Sequence, residues 1–219
     1  MEKFLGVLFC GGKGTRLGNI SEFVSKPMVP IYDKPVFMFG LELLQQSKLI
    51  SNILILSNKE NDSVLKKTGY TTLIQDDKKV RDMYSGWQFI KQQTNTDANG
   101  VLVPSDNISN INVDTLIEKF ISRKSEFLFS ISRKISPDKL KQMGNYDPER
   151  KSFVYKPKAP LQYGVLAPFI VRNSLKIVSD KKLFENSKSH HVIYNGMWKD
   201  IGDIESLADA VAWRRRQLR

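Results

Sequence analysis

The chain predicts an α/β fold: a single domain built as a three-layer α/β/α sandwich around a mostly parallel central sheet. Three observations carry that expectation. Short apolar runs alternate with segments whose apolar residues recur every three or four positions. The first apolar run, residues 4–9, breaks at once into a glycine-rich turn. The 219 residues suffice for a sizeable core, and they contain no repeat, low-complexity tract or linker long enough to divide them. Strand–helix–strand alternation of this kind implies right-handed crossovers, which lay strands in parallel and place helices over both faces.

Each element has its own reason. Residues 4–9 are apolar apart from Gly6 and read as a buried strand. Residues 37–44 follow as a helix, and 53–56 and 71–74 as strands. A second helix spans 80–90, with Met83, Trp87 and Ile90 on one face. The strand 101–103 precedes a third helix at 113–121, where Val113, Leu116, Ile117 and Phe120 fall together. Residues 127–131 return to strand. The stretch 132–163 then breaks the rhythm with Pro137, Pro148, Pro157 and Pro160, and is expected to form a lobe packed on the sheet. Strand 165–171 and a C-terminal helix at 203–219 complete the reading.

In parallel sheets, ligands bind outside the carboxyl ends of the strands, where both the glycine turn and Asp106 fall. The turn reads Gly11-Gly12-Lys13-Gly14-Thr15-Arg16-Leu17-Gly18. Its glycines let backbone N–H groups approach a ligand closely, and with Lys13 and Arg16 they make an anion-binding concavity. Ser25-Lys26-Pro27-Met28-Val29-Pro30-Ile31-Tyr32-Asp33-Lys34-Pro35 presents a further lysine from a proline-stiffened loop. Together these features imply a polyphosphate site. It is not a P-loop, because no glycine precedes Lys-Ser or Lys-Thr. Nor is it a dinucleotide fingerprint, since Gly12, Gly14 and Gly18 are spaced one residue too widely.

Composition narrows the classes. The net charge of +11 suits anionic substrates, although most of the 34 lysines and arginines are read as solvated surface. Basic residues are scattered apart from Arg214, Arg215, Arg216 and Arg219, with no interleaved aromatics, so nucleic acid is not an expected partner. The arginine run is expected to complement its helix dipole and stay in water. The single cysteine, Cys10, suits a reducing cytoplasm and is read as packing in the core. His190-His191 point oppositely on a strand and make an improbable metal site. Met28, Phe37 and Phe39 are read as core. The N-terminal run ends in Gly-Gly-Lys-Gly rather than a cleavage site, and no run approaches the ~20 residues of a membrane span. Apolar helix faces serve a core or a subunit contact equally well, so a homo-oligomer stays open.

The opening motifs resemble the signature of the sugar-1-phosphate nucleotidyltransferases, in the flavour of the glucose-1-phosphate thymidylyltransferases. The resemblance continues through Val101-Leu102-Val103-Pro104-Ser105-Asp106-Asn107, Tyr155-Lys156-Pro157, Tyr163-Gly164-Val165 and Trp198-Lys199-Asp200-Ile201-Gly202. It implies a Rossmann-like fold of the nucleotide-diphospho-sugar transferase type. Residues 1–131 would form the nucleotide side, 132–202 the sugar-phosphate side and 203–219 the closing helix. The implied activity joins an NTP, with dTTP or UTP favoured, to a hexose 1-phosphate and releases pyrophosphate.

That chemistry needs positioning and charge rather than a protein nucleophile. Gly11, Gly12, Gly14, Thr15 and Arg16 would cradle the triphosphate, Arg16 through its planar fork. Lys26 matches the family's transition-state lysine, so Arg16 and Lys26 are the catalytic candidates. Gln75 is the candidate for the base edge. Lys156 matches the sugar-phosphate lysine, with Tyr155 and Tyr163 beside the sugar. Asp106 and Asp200 match the two metal aspartates, which would hold Mg²⁺, a cation that takes one or two carboxylates. The sequence also departs from the family. Tyr155 stands where a glutamate is common, and Gln75-Asp76-Asp77-Lys78-Lys79-Val80-Arg81-Asp82-Met83 replaces a Pro-x-Gly-Leu-Ala-Gln type stretch. The chain also stops soon after Asp200, so an allosteric site built from a C-terminal extension is not expected. These departures keep two alternatives: transfer to a non-hexose phosphate, as by a cytidylyltransferase, and an inert nucleotide-binding relative.

Overall fold

The computed structural model of the chain describes residues 2–12, 14–176 and 179–219. Its strands are β1 (Phe4–Cys10), β2 (Pro30–Ile31), β3 (Lys34–Pro35), β4 (Asn52–Ser57), β5 (Thr71–Ile74), β6 (Asn99–Pro104) and β7 (Asn107–Ser109). These are followed by β8 (Phe127–Ser132), β9 (Gly144–Asp147), β10 (Ser152–Tyr155), β11 (Tyr163–Val171), β12 (Ser189–Ile193) and β13 (Trp198–Asp200). The helices are α1 (Ile20–Phe23), α2 (Phe37–Gln45), α3 (Lys59–Leu65), α4 (Met83–Thr94), α5 (Val113–Ser122), α6 (Pro137–Leu140), α7 (Asp180–Phe184) and α8 (Ile204–Gln217).

The main sheet runs β10-β9-β11-β6-β1-β4-β5, with β8 also on β11 and β12 on β8. Strands β1, β4, β5, β6, β8, β9 and β12 point one way, and β10 and β11 the other. The sheet is therefore mixed but mostly parallel, with β1 at the centre of the parallel part. Alternation along the strands divides the core into two layers. Leu5, Val7, Leu54 and Leu56 face Trp87 of α4 and a cluster of aromatic rings that includes Phe127, Phe129 and Phe184. Phe4, Leu8, Ile53 and Ile55 face Leu41 and Leu44 of α2 and Ile117 and Phe120 of α5.

Two boundaries differ from the sequence expectation for physical reasons. Helix α4 starts at Met83 rather than residue 80, because Asp82 accepts from the Ser85 N–H at 2.7 Å while Ser85 Oγ accepts from the Asp82 N–H at 3.0 Å. That reciprocal cap fixes the first turn regardless of apolar period. Residues 132–163 do not lie on top of the sheet. They fold as α6 and the β9–β10 hairpin, which joins β11 edge to edge and lengthens the sheet. The hairpin is anchored by α7, whose Phe184 stacks on Phe153 at 4.1 Å between ring centroids.

Candidate active site

A cleft of about 360 Å³ opens at the carboxyl ends of β1, β5 and β6, lined by Gly11, Gly12, Gly14, Arg16, Lys26, Gln75 and Asp106. Its further wall is Val80, Arg81, Asp82 and Met83, the turn that enters α4. Two glycines let neighbouring side chains lie against the turn. A Cβ on Gly11 would sit 2.1 Å from Gln75 Oε1, so the glycine lets the Gln75 side chain lie against the turn. Gly14 has φ +69°, and a Cβ there would meet Lys26 Cβ at 2.7 Å. The glycine turn and the lysine loop therefore pack directly on one another.

The lysine loop is fixed from three sides. Ser25 Oγ bonds Asn61 Oδ1, and Asn61 Nδ2 donates to the carbonyl of Cys10 at 3.1 Å, tying the loop to the end of β1. Beyond Lys26, the β2–β3 hairpin lies under α8, with Ile31, Val36, Ile108, Ile201 and Ala210 forming a small core. Arg214 of α8 donates to Asp33 through Nε at 2.7 Å and Nη2 at 2.8 Å. The expectation that the arginine run stays in water is thus corrected for Arg214. A carboxylate on the adjacent hairpin presents a matching fork, and its hydrogen bonds with Arg214 hold the Asp33 carboxyl down at about 2.

Two carboxylates meet beside the cleft. The β7–β13 ladder sets Asp200 opposite Asn107, and the Ile201 N–H donates to the Asp106 carbonyl at 2.8 Å. Asn107 Nδ2 then donates to both acids, at 2.9 Å to Asp106 Oδ1 and 3.0 Å to Asp200 Oδ1. Its own Oδ1 accepts from Trp198 Nε1 at 3.1 Å, which fixes the amide orientation. Lys26 Nζ donates to Asp106 Oδ2, and Lys139 Nζ, from α6, donates to Asp200 Oδ2. Arg16 closes the group. Its guanidinium and the Asp200 carboxylate both border Gly202, and its Nη1 donates to Gln142 Oε1 at 3.1 Å.

Desolvation raises the Asp106 carboxyl, the neighbouring Asp200 charge raises it further, and the Lys26 ammonium pulls the other way. Two hard oxygen donors sharing one amide, one of them destabilised by the other's charge, suit a small divalent cation. Asp106 and Asp200 are the residues that could hold it. The described residues contain no cluster of three or more His, Cys, Asp or Glu for a metal. Cys10 is fully buried with its thiol pushed up by desolvation, which suits packing rather than nucleophilic chemistry.

The remaining candidates lie apart from this cleft. Tyr155 is exposed at the end of β10, and Lys156 Nζ lies 5.1 Å from the centre of its ring. Tyr163 lines a separate hollow of about 330 Å³ with Arg133, whose guanidinium sits 4.6 Å from the ring centre. Lys13 and the Thr15 side chain lie outside the described residues. Asn107, Lys139 and Gln142 were missed by the sequence reading. Asn107 adjoins a motif aspartate and could have been suspected, whereas Lys139 and Gln142 carry no local signal.

Fold and cleft together define an α/β protein whose lysines and aspartates converge at the carboxyl edge of parallel strands. The chain belongs to the nucleotidyl transferase family, which matches residues 5–167. It is 37% identical over 62 residues to glucose-1-phosphate thymidylyltransferase of Neisseria meningitidis, 28% of this chain and 21% of that enzyme. Over 53 residues it is 43% identical to D-glycero-alpha-D-manno-heptose 1-phosphate guanylyltransferase of Campylobacter jejuni, 24% of each chain. Against the bifunctional protein GlmU of Methanococcus maripaludis it is 24% identical over 217 residues, 90% of this chain and 51% of that one. The chain thus matches between 21% and 51% of the length of these relatives. Its fold resembles that of a UDP-glucose pyrophosphorylase complexed with UDP-glucose, with TM-score 0.77 and 14% identity, covering 99% of this chain and 100% of that one.

Proposed function

We propose that this chain transfers a nucleotidyl group from an NTP to a sugar 1-phosphate, releasing pyrophosphate, with dTTP or UTP and a hexose 1-phosphate as the favoured pair. The observation that carries this reading is the convergence of the glycine turn, Arg16, Lys26, Asp106 and Asp200 around one cleft. In this reading Gly11, Gly12 and Gly14 turn backbone N–H groups to the triphosphate, and Arg16 spans two of its oxygens. Lys26 sets a fixed charge where the α-phosphate gains negative charge, as an acceptor phosphate oxygen attacks in line and pyrophosphate leaves. Gln75 meets the base, while Tyr155, Lys156 and Tyr163, which lie apart from this cleft, stay the sequence candidates for the sugar phosphate. Asp106 and Asp200 would hold Mg²⁺, which supplies charge neutralisation at the phosphates.

Tyr155 favours one second reading, a non-hexose acceptor, because a phenol cannot receive hydroxyl hydrogen bonds as a carboxylate does. The test is pyrophosphate release with Mg²⁺ across the common NTPs and dTTP, each against a panel of sugar 1-phosphates. Release with one pair, abolished by EDTA, supports the proposal and names both substrates. Nucleotide binding without release turns the search to non-hexose phosphates. Absence of nucleotide binding overturns the reading. No helix among the described residues is long and apolar enough to cross a membrane.

A further inference from the structure

Lys139 is the unexpected member of the charge cluster. It comes from α6, a single turn capped where Ser136 Oγ accepts from the Lys139 N–H at 3.3 Å. Its ammonium lies on the outer oxygen of Asp200, and the two side chains are only 18% and 19% exposed. The inner oxygen of Asp200 is held by Asn107. The result is a line of charge, Lys26–Asp106–Asn107–Asp200–Lys139, in which each carboxylate has its own lysine. A nearly buried carboxylate without a counter-charge is costly, so in the metal-free protein this lysine takes the part a cation would take.

Position separates the two lysines. Lys26 faces the cleft with the glycine turn, whereas Lys139 reaches Asp200 from residues 132–163, the segment whose Gln142 accepts from Arg16. Lys156, the sequence candidate for the acceptor phosphate, instead has its ammonium over the exposed Tyr155 ring. We propose that Lys139 neutralises Asp200 until a divalent cation takes its place, and that the released ammonium then grips the phosphate of the acceptor. The proposal rests on the nucleotidyl-transfer reading above. Its chemistry is a flexible ammonium exchanging one oxyanion for another within reach of the same helix turn.

Two measurements on the full chain, wild type, Lys139→Met and Lys139→Arg, test it. The first is Mn²⁺ titration of metal-free protein, followed by the electron paramagnetic resonance of free Mn²⁺. Lys139→Met should bind Mn²⁺ several-fold more tightly than wild type, because the competing ammonium is gone, while Lys139→Arg should not. The second is steady-state kinetics with the substrate pair that the pyrophosphate panel identifies. Lys139→Met should raise KM for the acceptor at least about tenfold, the size of one charge-assisted hydrogen bond, with KM for the NTP unchanged. Lys139→Arg should return the acceptor KM to within a few-fold of wild type. Equal or weaker Mn²⁺ binding by a folded Lys139→Met, or an unchanged acceptor KM, overturns the proposal. If wild type neither releases pyrophosphate with any pair nor binds nucleotide, the functional reading fails, and Mn²⁺ binding still decides whether Lys139 substitutes for the cation.

Discussion

Gly14→Ala strikes the joint between the glycine turn and the lysine loop. The residue sits at φ +69°, a left-handed conformation that costs an L-residue about 1–2 kcal/mol. The new Cβ would also stand 2.7 Å from Lys26 Cβ, closer than two carbons approach, and the obstacle is the root of a side chain rather than its free end. The loop must shift, and Lys26 Nζ shifts with it off Asp106. At roughly 2–4 °C per kcal/mol for a chain of this size, the conformational cost alone lowers the melting temperature by roughly 2–8 °C. A displacement of about 1 Å at the reacting phosphate is expected to lower kcat by about a hundredfold. Calorimetry and pyrophosphate release measure the two effects separately. Gly12→Ala is the matched control for stability, since its Cβ would have no neighbour nearer than 4.0 Å. A Gly14→Ala protein that melts with wild type and turns over within twofold of it would refute the argument.

Lys26→Ala should lower turnover by about 10²–10³ while nucleotide binding, followed by titration calorimetry, changes only a few-fold; equal turnover would reject Lys26 as the fixed cation. Asp33→Asn reads the α8 clamp through pH. The Asp33 carboxyl is held at about 2 in the fold against an ordinary 3.8, so its stabilisation is fully present above pH 4 and is lost as pH falls toward 2. The gap between wild-type and Asp33→Asn urea midpoints should therefore narrow over that window, and a gap unchanged from pH 4 to pH 2 would count against the pairing. Phe184→Ala removes a ring enclosed by Phe127, Phe129 and Phe153 and should cost about 3–5 kcal/mol in denaturant titrations, loosening the β9–β10 hairpin.

Much of the fold was legible because buried strands and amphipathic helices write themselves locally. The run at residues 4–9 is apolar on both faces because β1 is covered by α4 on one side and α2 on the other. Val113, Leu116, Ile117 and Phe120 mark the buried face of α5 by spacing alone. The edge hairpin was not legible. Strand β9, Gly-Asn-Tyr-Asp, is polar, and β10, Ser-Phe-Val-Tyr, buries only Phe153, so neither period of two nor a sustained apolar run declares them. The same holds for α4, whose first turn is set by a polar cap and not by the apolar stripe.

The sequence alone determined the glycine turn, the lysine loop, Asp106 just after a buried strand and Asp200 between Trp198 and Gly202, because backbone freedom and phosphate chemistry restrict residue type at short range. Tertiary structure decided which charges pair. Lys26 with Asp106 spans 80 positions, Lys139 with Asp200 spans 61, and Arg214 with Asp33 spans 181. A lysine or arginine carries no mark of its partner along the chain. Only the packing of the lysine loop, α6 and α8 against the strand ends brings opposite charges close enough for one carboxylate to select one cation.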